Sequence, residues 1–404
     1  MVADVSPVSW LDRLSVSARR GDRLVLGLMS GTSANAIDAA LCRITGGGPR
    51  PGTRVELLHF CATPYPADLR ALVVRSLTLS TREVAEVHAR VGDAFGAAAV
   101  AAASAVGIAL DQLDLIGSHG QTVYHHSTVP GAARVTLQLG CGDRIAEQTG
   151  VPVFCDFRAR DVAAGGEGAP LTPYADLVLF GSGGVGRRAI LNLGGIGNIT
   201  VLASDPAEVI GFDTGPANAP LDRLARMMSG GAKQCDEDGT IARSGRCNEA
   251  LLAELLSADA FIARPPPKST GFEAYGDEFV AEVVRRAGGV PTADLMATLV
   301  DFVASTVLEA IVRHVEGPPV TEVVLAGGGS RNPLLVERLR SRLGGAGVQL
   351  LMADALGVPA DAREAMAFAL FANDALLGLP TSLPRVTGCA HPVTLGKLCL
   401  PGAR

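Results

Sequence analysis

At 404 residues the chain exceeds one ordinary hydrophobic core and calls for about two domains. Hydrophobic residues make up 48% and charged residues 19%, with few aromatics, which describes a globular α/β protein and excludes a disordered one. A formal charge of −6 without Lys/Arg clusters excludes a nucleic-acid groove or an anionic membrane surface and points to small-molecule chemistry.

Residues 1–21 lack the apolar region of a signal peptide and read as an extension with one amphipathic turn around Trp10 and Leu11. An opening strand then runs into the polar turn GLMSGTSANAID, Gly27 to Asp38, and AIDAALCRI and RVELLHFCA read as two further strands of an antiparallel meander. Helical periodicity dominates from Ala67 to about Val106, with Val84, Val87, Val91 and Phe95 on one face. LDLIGSHGQTVYH reads as a strand entering a polar turn, and VTLQLG and VPVFCDF as strands around the helix DRIAEQTG. The pattern then restarts. RRAILNLGGIGNITVLA is again strand, glycine turn and strand, and EVIGFDTGPAN is a third strand ending in a loop. Helices over 217–229, 247–256 and 292–314 lead into strand TEVVLAGGG, and helix, strand and helix complete the chain. No apolar run reaches the roughly 18 residues of a membrane span, since FVASTVLEAIV is interrupted by Ser305, Thr306 and Glu309. Eight cysteines without CxxC spacing indicate neither a zinc site nor a disulfide framework and fit a reducing cytoplasm.

Several stretches carry chemistry. Backbone freed at Gly31, together with Ser30, Thr32, Ser33 and Asn35, suits phosphate oxygens, and Asp38 behind them suits magnesium or its water. His119, His125 and His126 lack carboxylate or cysteine neighbours at metal spacing, so His119 is expected to tie down its loop. DFRARDVAAGGEGAPL offers Arg158, Arg160 and Asp161 in a polar loop, where an arginine can grip a substrate carboxylate. GSGGVG at 181–186 fits a dinucleotide motif in letters only, because its glycines precede a strand instead of opening a helix after one. Asp213 in GFDTGPAN sits just past a strand, in position to face a cleft, and KSTG at 268–271 is a loop that can touch ligand. Gly327, Gly328 and Gly329 bare the backbone ahead of a helix, which suits a nucleotide. Arg363 and Glu364 stand early in an apolar-periodic helix.

As a set and in this order, GLMSGTSANAID, GSHGQTVYH, DFRARDVAAGGEGAPL, LNLGGIGNIT, GFDTGPAN, PPPKSTG, LAGGGSRNP, ADAREAMAFA and VTGCAHPVTLGKL resemble the anhydro-N-acetylmuramic acid kinases from about residue 23 onward. The resemblance implies an α/β fold of the two-domain actin-like ATPase type, with ribonuclease-H-like halves and an interdomain nucleotide cleft. Its expected division is an extension at 1–21, a first domain at 22–185 completed by part of the C-terminal segment, and a second domain at 186–404. It implies an enzyme that uses ATP, Mg²⁺ and water to open the 1,6-anhydro ring of the sugar and phosphorylate O6, in peptidoglycan recycling, as a cytoplasmic homodimer without nucleic-acid or membrane partners. Asp213 matches the family's catalytic aspartate and Glu364 a substrate-contacting glutamate. Gly31, Thr32, Ser33, Ala34, Asn35, Ala36, Ile37 and Asp38 match its phosphate turn, and Gly194, Gly195, Asn198, Gly327, Gly328 and Gly329 are expected to complete the nucleotide site. The chain departs from the usual pattern at Asn35-Ala36, where Asp-Gly is usual, at Cys141, where aspartate is frequent, and at Phe272, where arginine follows KSTG. The alternatives are a kinase for another anhydro- or amino sugar, and a catalytically silent ATP-binding regulator.

Overall fold

Two three-stranded meanders, each followed by two parallel strands, organise the chain. The computed structural model describes residues 9–31, 33–126, 133–181 and 186–402. Contacts divide the chain into one unit of Met1–Ser182 with Ala362–Arg404 and another of Gly183–Asp361.

The first unit begins with α1 (Trp10–Arg19), in which the Ser9 side chain accepts from the Leu11 N–H, so the amphipathic turn expected there is a full helix. Strands β1 (Asp22–Ser30), β2 (Ala36–Thr45) and β3 (Arg54–Pro64) form the meander. Helices α2 (Ala67–Val74) and α3 (Thr81–Ala105) follow, α3 opened by a capping box between Ser80 and Glu83. Next come β4 (Leu115–His126), β5 (Val135–Leu139), α4 (Gly142–Thr149), β6 (Val153–Cys155), α5 (Phe157–Ala163) and α6 (Thr172–Phe180). The polar turn expected within GSHGQTVYH is strand throughout, because β5 pairs with its second half. The loop expected at DFRARD is the helix α5.

In the second unit β7 (Arg187–Leu193), β8 (Ile196–Val201) and β9 (Ile210–Pro216) repeat the meander. Helices α7 (Asn218–Met228), α8 (Thr240–Ser244), α9 (Glu249–Ala258), α10 (Ala260–Ala263), α11 (Phe272–Tyr275), α12 (Asp277–Ala287) and α13 (Thr292–His314) precede β10 (Val320–Ala326), α14 (Pro333–Gly345) and β11 (Gln349–Met352). Helix α13, at mean hydropathy 1.9 over its richest window, is apolar and long enough to cross a membrane, which the sequence reading did not anticipate. It is instead a core helix, with Leu299, Phe302, Val303 and Val307 fully buried.

The chain closes with α15 (Arg363–Leu376), α16 (Pro384–Thr387) and β12 (Lys397–Cys399), which lie in the first unit, so the C-terminal part that completes it begins at Ala362. The physical reason is the bare face of the first sheet. A Cβ on Gly27 of β1 would lie 1.8 Å from the Ala365 carbonyl oxygen, and one on Gly117 of β4 2.0 Å from that of Phe368, so these glycines let α15 lie directly on the strands. On the opposite face Val91, Phe95 and Ala99 of α3 pack against Ile37, Ala39 and Leu41 of β2.

The sheets read β12-β6-β4-β1-β2-β3, with β5 beside β4, and β11-β10-β7-β8-β9. In each, the meander's first strand pairs in parallel with the next strand of the chain's parallel set. The restart legible in the sequence is therefore a repeated topology, two ribonuclease-H-like halves of an actin-like fold.

Candidate active site

In the first unit the turn after β1 is built from the strands beneath it. The Ser30 hydroxyl shares its one proton between the Ala36 carbonyl at 2.9 Å and Gln121 Oε1 at 2.7 Å, and Gln121 Nε2 donates to the Gly31 carbonyl at 3.1 Å. Ala34 holds a left-handed φ of 48°, a conformation that costs a non-glycine residue on the order of 1 kcal/mol. Arg70 of α2 secures it, donating to the Ala34 carbonyl at 3.0 Å and to Asn35 Oδ1 at 2.9 Å. Arg70 was invisible in the sequence because its partners lie a whole meander away. Around Gly31 a Cβ would meet nothing within 4 Å, so the backbone there is open. Ser33 and Asn35 are exposed, and Thr32 lies outside the described residues.

Strand alternation sorts the rest of the expected phosphate turn. Ala36, Ile37 and Asp38 belong to β2. Ile37 is 1% exposed in the core beneath α3, so its side chain is structural and not available to a nucleotide. Asp38 points to the other face, as period-two geometry requires. The Asn35 amide oxygen is occupied by Arg70.

Arg158 of α5 donates from Nε to His119 Nε2 at 2.9 Å and from Nη1 to the Gly168 carbonyl at 2.7 Å. His119 is buried, rests on the Phe368 ring at 4.6 Å, and is held well below the ordinary histidine pKa by burial and by Arg158. Its neutral ring therefore accepts at Nε2 and donates from Nδ1 to the Gly120 carbonyl. Burial pushes Arg158 down to about 10, opposed by the charges of Glu364 and Asp161, so it stays cationic. Glu364 is half-buried in the first turn of α15, one turn before Phe368. Beside it, Arg363 binds Asp176 of α6 through two hydrogen bonds, 2.7 and 2.5 Å, with both side chains buried.

Two expected substrate ligands sit elsewhere. Asp161 is fully buried, accepts from the Gly168 N–H at 2.8 Å and the Thr387 hydroxyl at 2.7 Å, and leaves no room for a Cβ at Gly166. It is a tether that shapes the GGEG loop, not a ligand. Arg160 is exposed on α5, and its side chain forms no hydrogen bond or ion pair among the described residues.

In the second unit Asp213 lies within β9, where the pairing with β8 slips between Gly197 and Asn198 and bulges the strand at Thr214. A bulge re-aims the neighbouring side chain, and Asp213 stands opposite Asn198. The KSTG segment grips it. The Ser269 hydroxyl and the Thr270 N–H each donate to Asp213 Oδ2 at 2.9 Å, and the Asp213 N–H donates to the Lys268 carbonyl at 3.1 Å. Burial raises the Asp213 carboxyl above the ordinary aspartate pKa, while Thr270, Ser269 and the Lys268 charge oppose the rise. Lys268, 5% exposed, donates to the Phe261 and Ile262 carbonyls and lies 4.8 Å over the Phe261 ring.

The glycine turns of this unit meet one another. Gly194 and Gly195 accept from the Asn218, Ala217 and Ala219 N–H groups at 3.0 Å. Gly327, at φ 81°, and Gly329 pack on the end of β7: a Cβ would come within 2.7 Å of Asn192 Oδ1 at the first and 2.6 Å of Leu193 Cβ at the second. Gly328 between them is open, its nearest neighbour 3.9 Å away. Phe272 is 57% exposed with its ring against Gly195, and in the first unit Cys141 stands at the start of α4 without capping it, where an aspartate would accept a backbone N–H.

The family model for anhydro-N-acetylmuramic acid kinase matches residues 23–401. An anhydro-N-acetylmuramic acid kinase from Caldanaerobacter subterraneus subsp. tengcongensis is 38% identical over 405 residues, covering 96% of this chain and all of that protein. Those from Xanthomonas campestris pv. campestris and Streptomyces coelicolor are 43% and 44% identical, each covering 93% of this chain and 97% and 93% of their own lengths. The match runs through every motif placed above, and the chain belongs to the anhydro-N-acetylmuramic acid kinase family.

Proposed function

We propose that the chain carries out the reaction for which its family is named: with ATP and water it converts 1,6-anhydro-N-acetylmuramic acid to N-acetylmuramic acid 6-phosphate and ADP, serving peptidoglycan recycling. Water adds to the anomeric carbon, the bond from that carbon to O6 breaks, and O6 takes the γ-phosphoryl group as ADP leaves. Asp213 accepts the water's proton. The observation that supports this role is the one-sided grip on its carboxylate: both donors use Oδ2, and among the described residues Oδ1 receives none. Burial strengthens it as a base by raising its pKa, while the donors keep it ionised.

Glu364 contacts the sugar in this reading, and Arg158, cationic and fixed through Nε and Nη1, presents Nη2 to the substrate's carboxylate. The open backbones at Gly31 and Gly328 receive phosphate oxygens. Magnesium accompanies ATP. No three His, Cys, Asp or Glu side chains gather at ligand distance among the described residues, which fits an ion held chiefly by phosphates and water, with Asp38 as its protein carboxylate. The ion would neutralise phosphate charge. The enzyme works as a cytoplasmic homodimer.

Asp213→Asn keeps shape and removes basicity, so formation of sugar phosphate, followed by mass spectrometry, falls at least about a hundredfold while ATP still binds. Near-normal turnover in that variant would overturn the assignment.

A further inference from the structure

The KSTG segment touches the one group proposed to move a proton. We infer that Ser269 is a positioning residue for Asp213, and that Lys268 is the anchor that holds Ser269 in place; this rests on the reading of Asp213 as the base. The contacts form a short mechanical chain. The Lys268 ammonium is buried with no carboxylate partner among the described residues, tied instead to two carbonyls at the end of α10 and to the Phe261 ring. Its own carbonyl holds the Asp213 backbone. The next two residues then fix the orientation of the carboxylate by taking Oδ2 from two directions, a hydroxyl and a backbone N–H. A carboxylate so held cannot rotate to exchange its oxygens without breaking both bonds, so Oδ1 stays the proton acceptor.

The grip also has an electrostatic sense. Donors to an ionised carboxylate favour the ionised form, against the burial that disfavours it. The groups around Asp213 leave little else to do so. Opposite it β8 offers the neutral Asn198. From α13, His314 meets Phe212 edge-on and bonds the Ile262 carbonyl. Arg313, Arg264 and Asp259 act on Lys268, and Lys268 is the one charge among them that bears on Asp213. Thr270 contributes through its backbone and is not removable by substitution. The Ser269 hydroxyl is.

The test is the pH profile of kcat for sugar phosphorylation by the full-length protein carrying Ser269→Ala or Ser269→Thr. With the hydroxyl gone, Asp213 protonates at higher pH, so the acid limb of kcat moves to higher pH, and kcat on that limb falls about tenfold, the rate equivalent of one hydrogen bond to a charged group. KM for ATP stays within about twofold, since this hydroxyl bonds Asp213 and not the glycine turns. Ser269→Thr restores the parent's limb. An unmoved acid limb in Ser269→Ala overturns the inference, as does a limb displaced equally in Ser269→Thr. Asp213→Asn separates the two ideas: if it is inactive while Ser269→Ala keeps the parent's profile, the positioning role fails and the base survives; if it remains active, the base reading itself falls.

Discussion

Arg363→Met would strand a buried carboxylate. Asp176 is completely inaccessible and the Arg363 side chain 5% exposed, and they share two charge-assisted bonds at 2.7 and 2.5 Å. Removing one partner of such a pair costs about 3–5 kcal/mol, because the remaining charge has neither water nor a counterion. Against a domain stability of about 5–15 kcal/mol this is from about a fifth of the total to all of it. Removing both charges in Arg363→Met with Asp176→Leu should recover most of the loss, since the desolvation of both ions disappears along with their attraction. Trp10 is the chain's sole tryptophan and lies in α1 of the same unit, so its fluorescence during urea denaturation reports on the part of the protein that holds the pair. The midpoint should fall sharply in the single variant and return in the double one, with the slope unchanged. A single variant that loses less than about 1 kcal/mol, or a double variant no better than the single, refutes the reasoning. Since Arg363 precedes Glu364 in the first turn of α15, partly folded single variant should also show a raised KM for the sugar with KM for ATP held.

Other outcomes follow from the glycine turns and from Lys268. Gly327→Ala should destabilise the second unit, having a left-handed φ and backbone atoms of Leu193 within 2.9 Å, whereas Gly328→Ala has room and should keep the melting temperature while raising KM for ATP; equal melting temperatures for both variants would count against the packing described. Burial pushes Lys268 from 10.5 to about 8. The unfolded chain keeps the ordinary value, so between about pH 8 and 10.5 it binds more protons than the folded one, and stability rises with pH across that window. The gain over Lys268→Met should reach roughly 3 kcal/mol by the upper end of the window. Urea midpoints of the two proteins that run parallel with pH would show that the lysine is not desolvated.

The strands and the two glycine-turn meanders were legible because each is written locally, in alternation and in turn residues, whereas Asp213, expected just past a strand, lies within β9 beside a bulge that alternation does not show. What stayed hidden is what depends on partners distant in sequence. Arg70 reads as an ordinary helix residue until the turn at Ala34 closes onto it. Asp161 has the residue type and glycine setting of a ligand, but Thr387 and Gly168 consume its oxygens. Arg363 reads as one charge early in an apolar-periodic helix, and only the arrival of α6 turns it into a buried ion pair. KSTG reads as a loop that can touch ligand, and nothing local shows that its hydroxyl and N–H serve an aspartate more than fifty residues earlier.

The place of α15 has a consequence for synthesis. The first sheet's β1 and β4 leave the ribosome early, but the helix that covers Gly27 and Gly117 emerges only after the whole stretch Gly183–Asp361 has been translated. At about 5–20 residues per second, that interval is roughly 10–40 s. During it the nascent chain carries an uncovered apolar sheet face, and at its end the contiguous second unit has every residue it needs to fold before α15 has emerged. The protein is thus built from the middle outward, and a chain terminated before residue 362 would present that bare face permanently to chaperones and proteases.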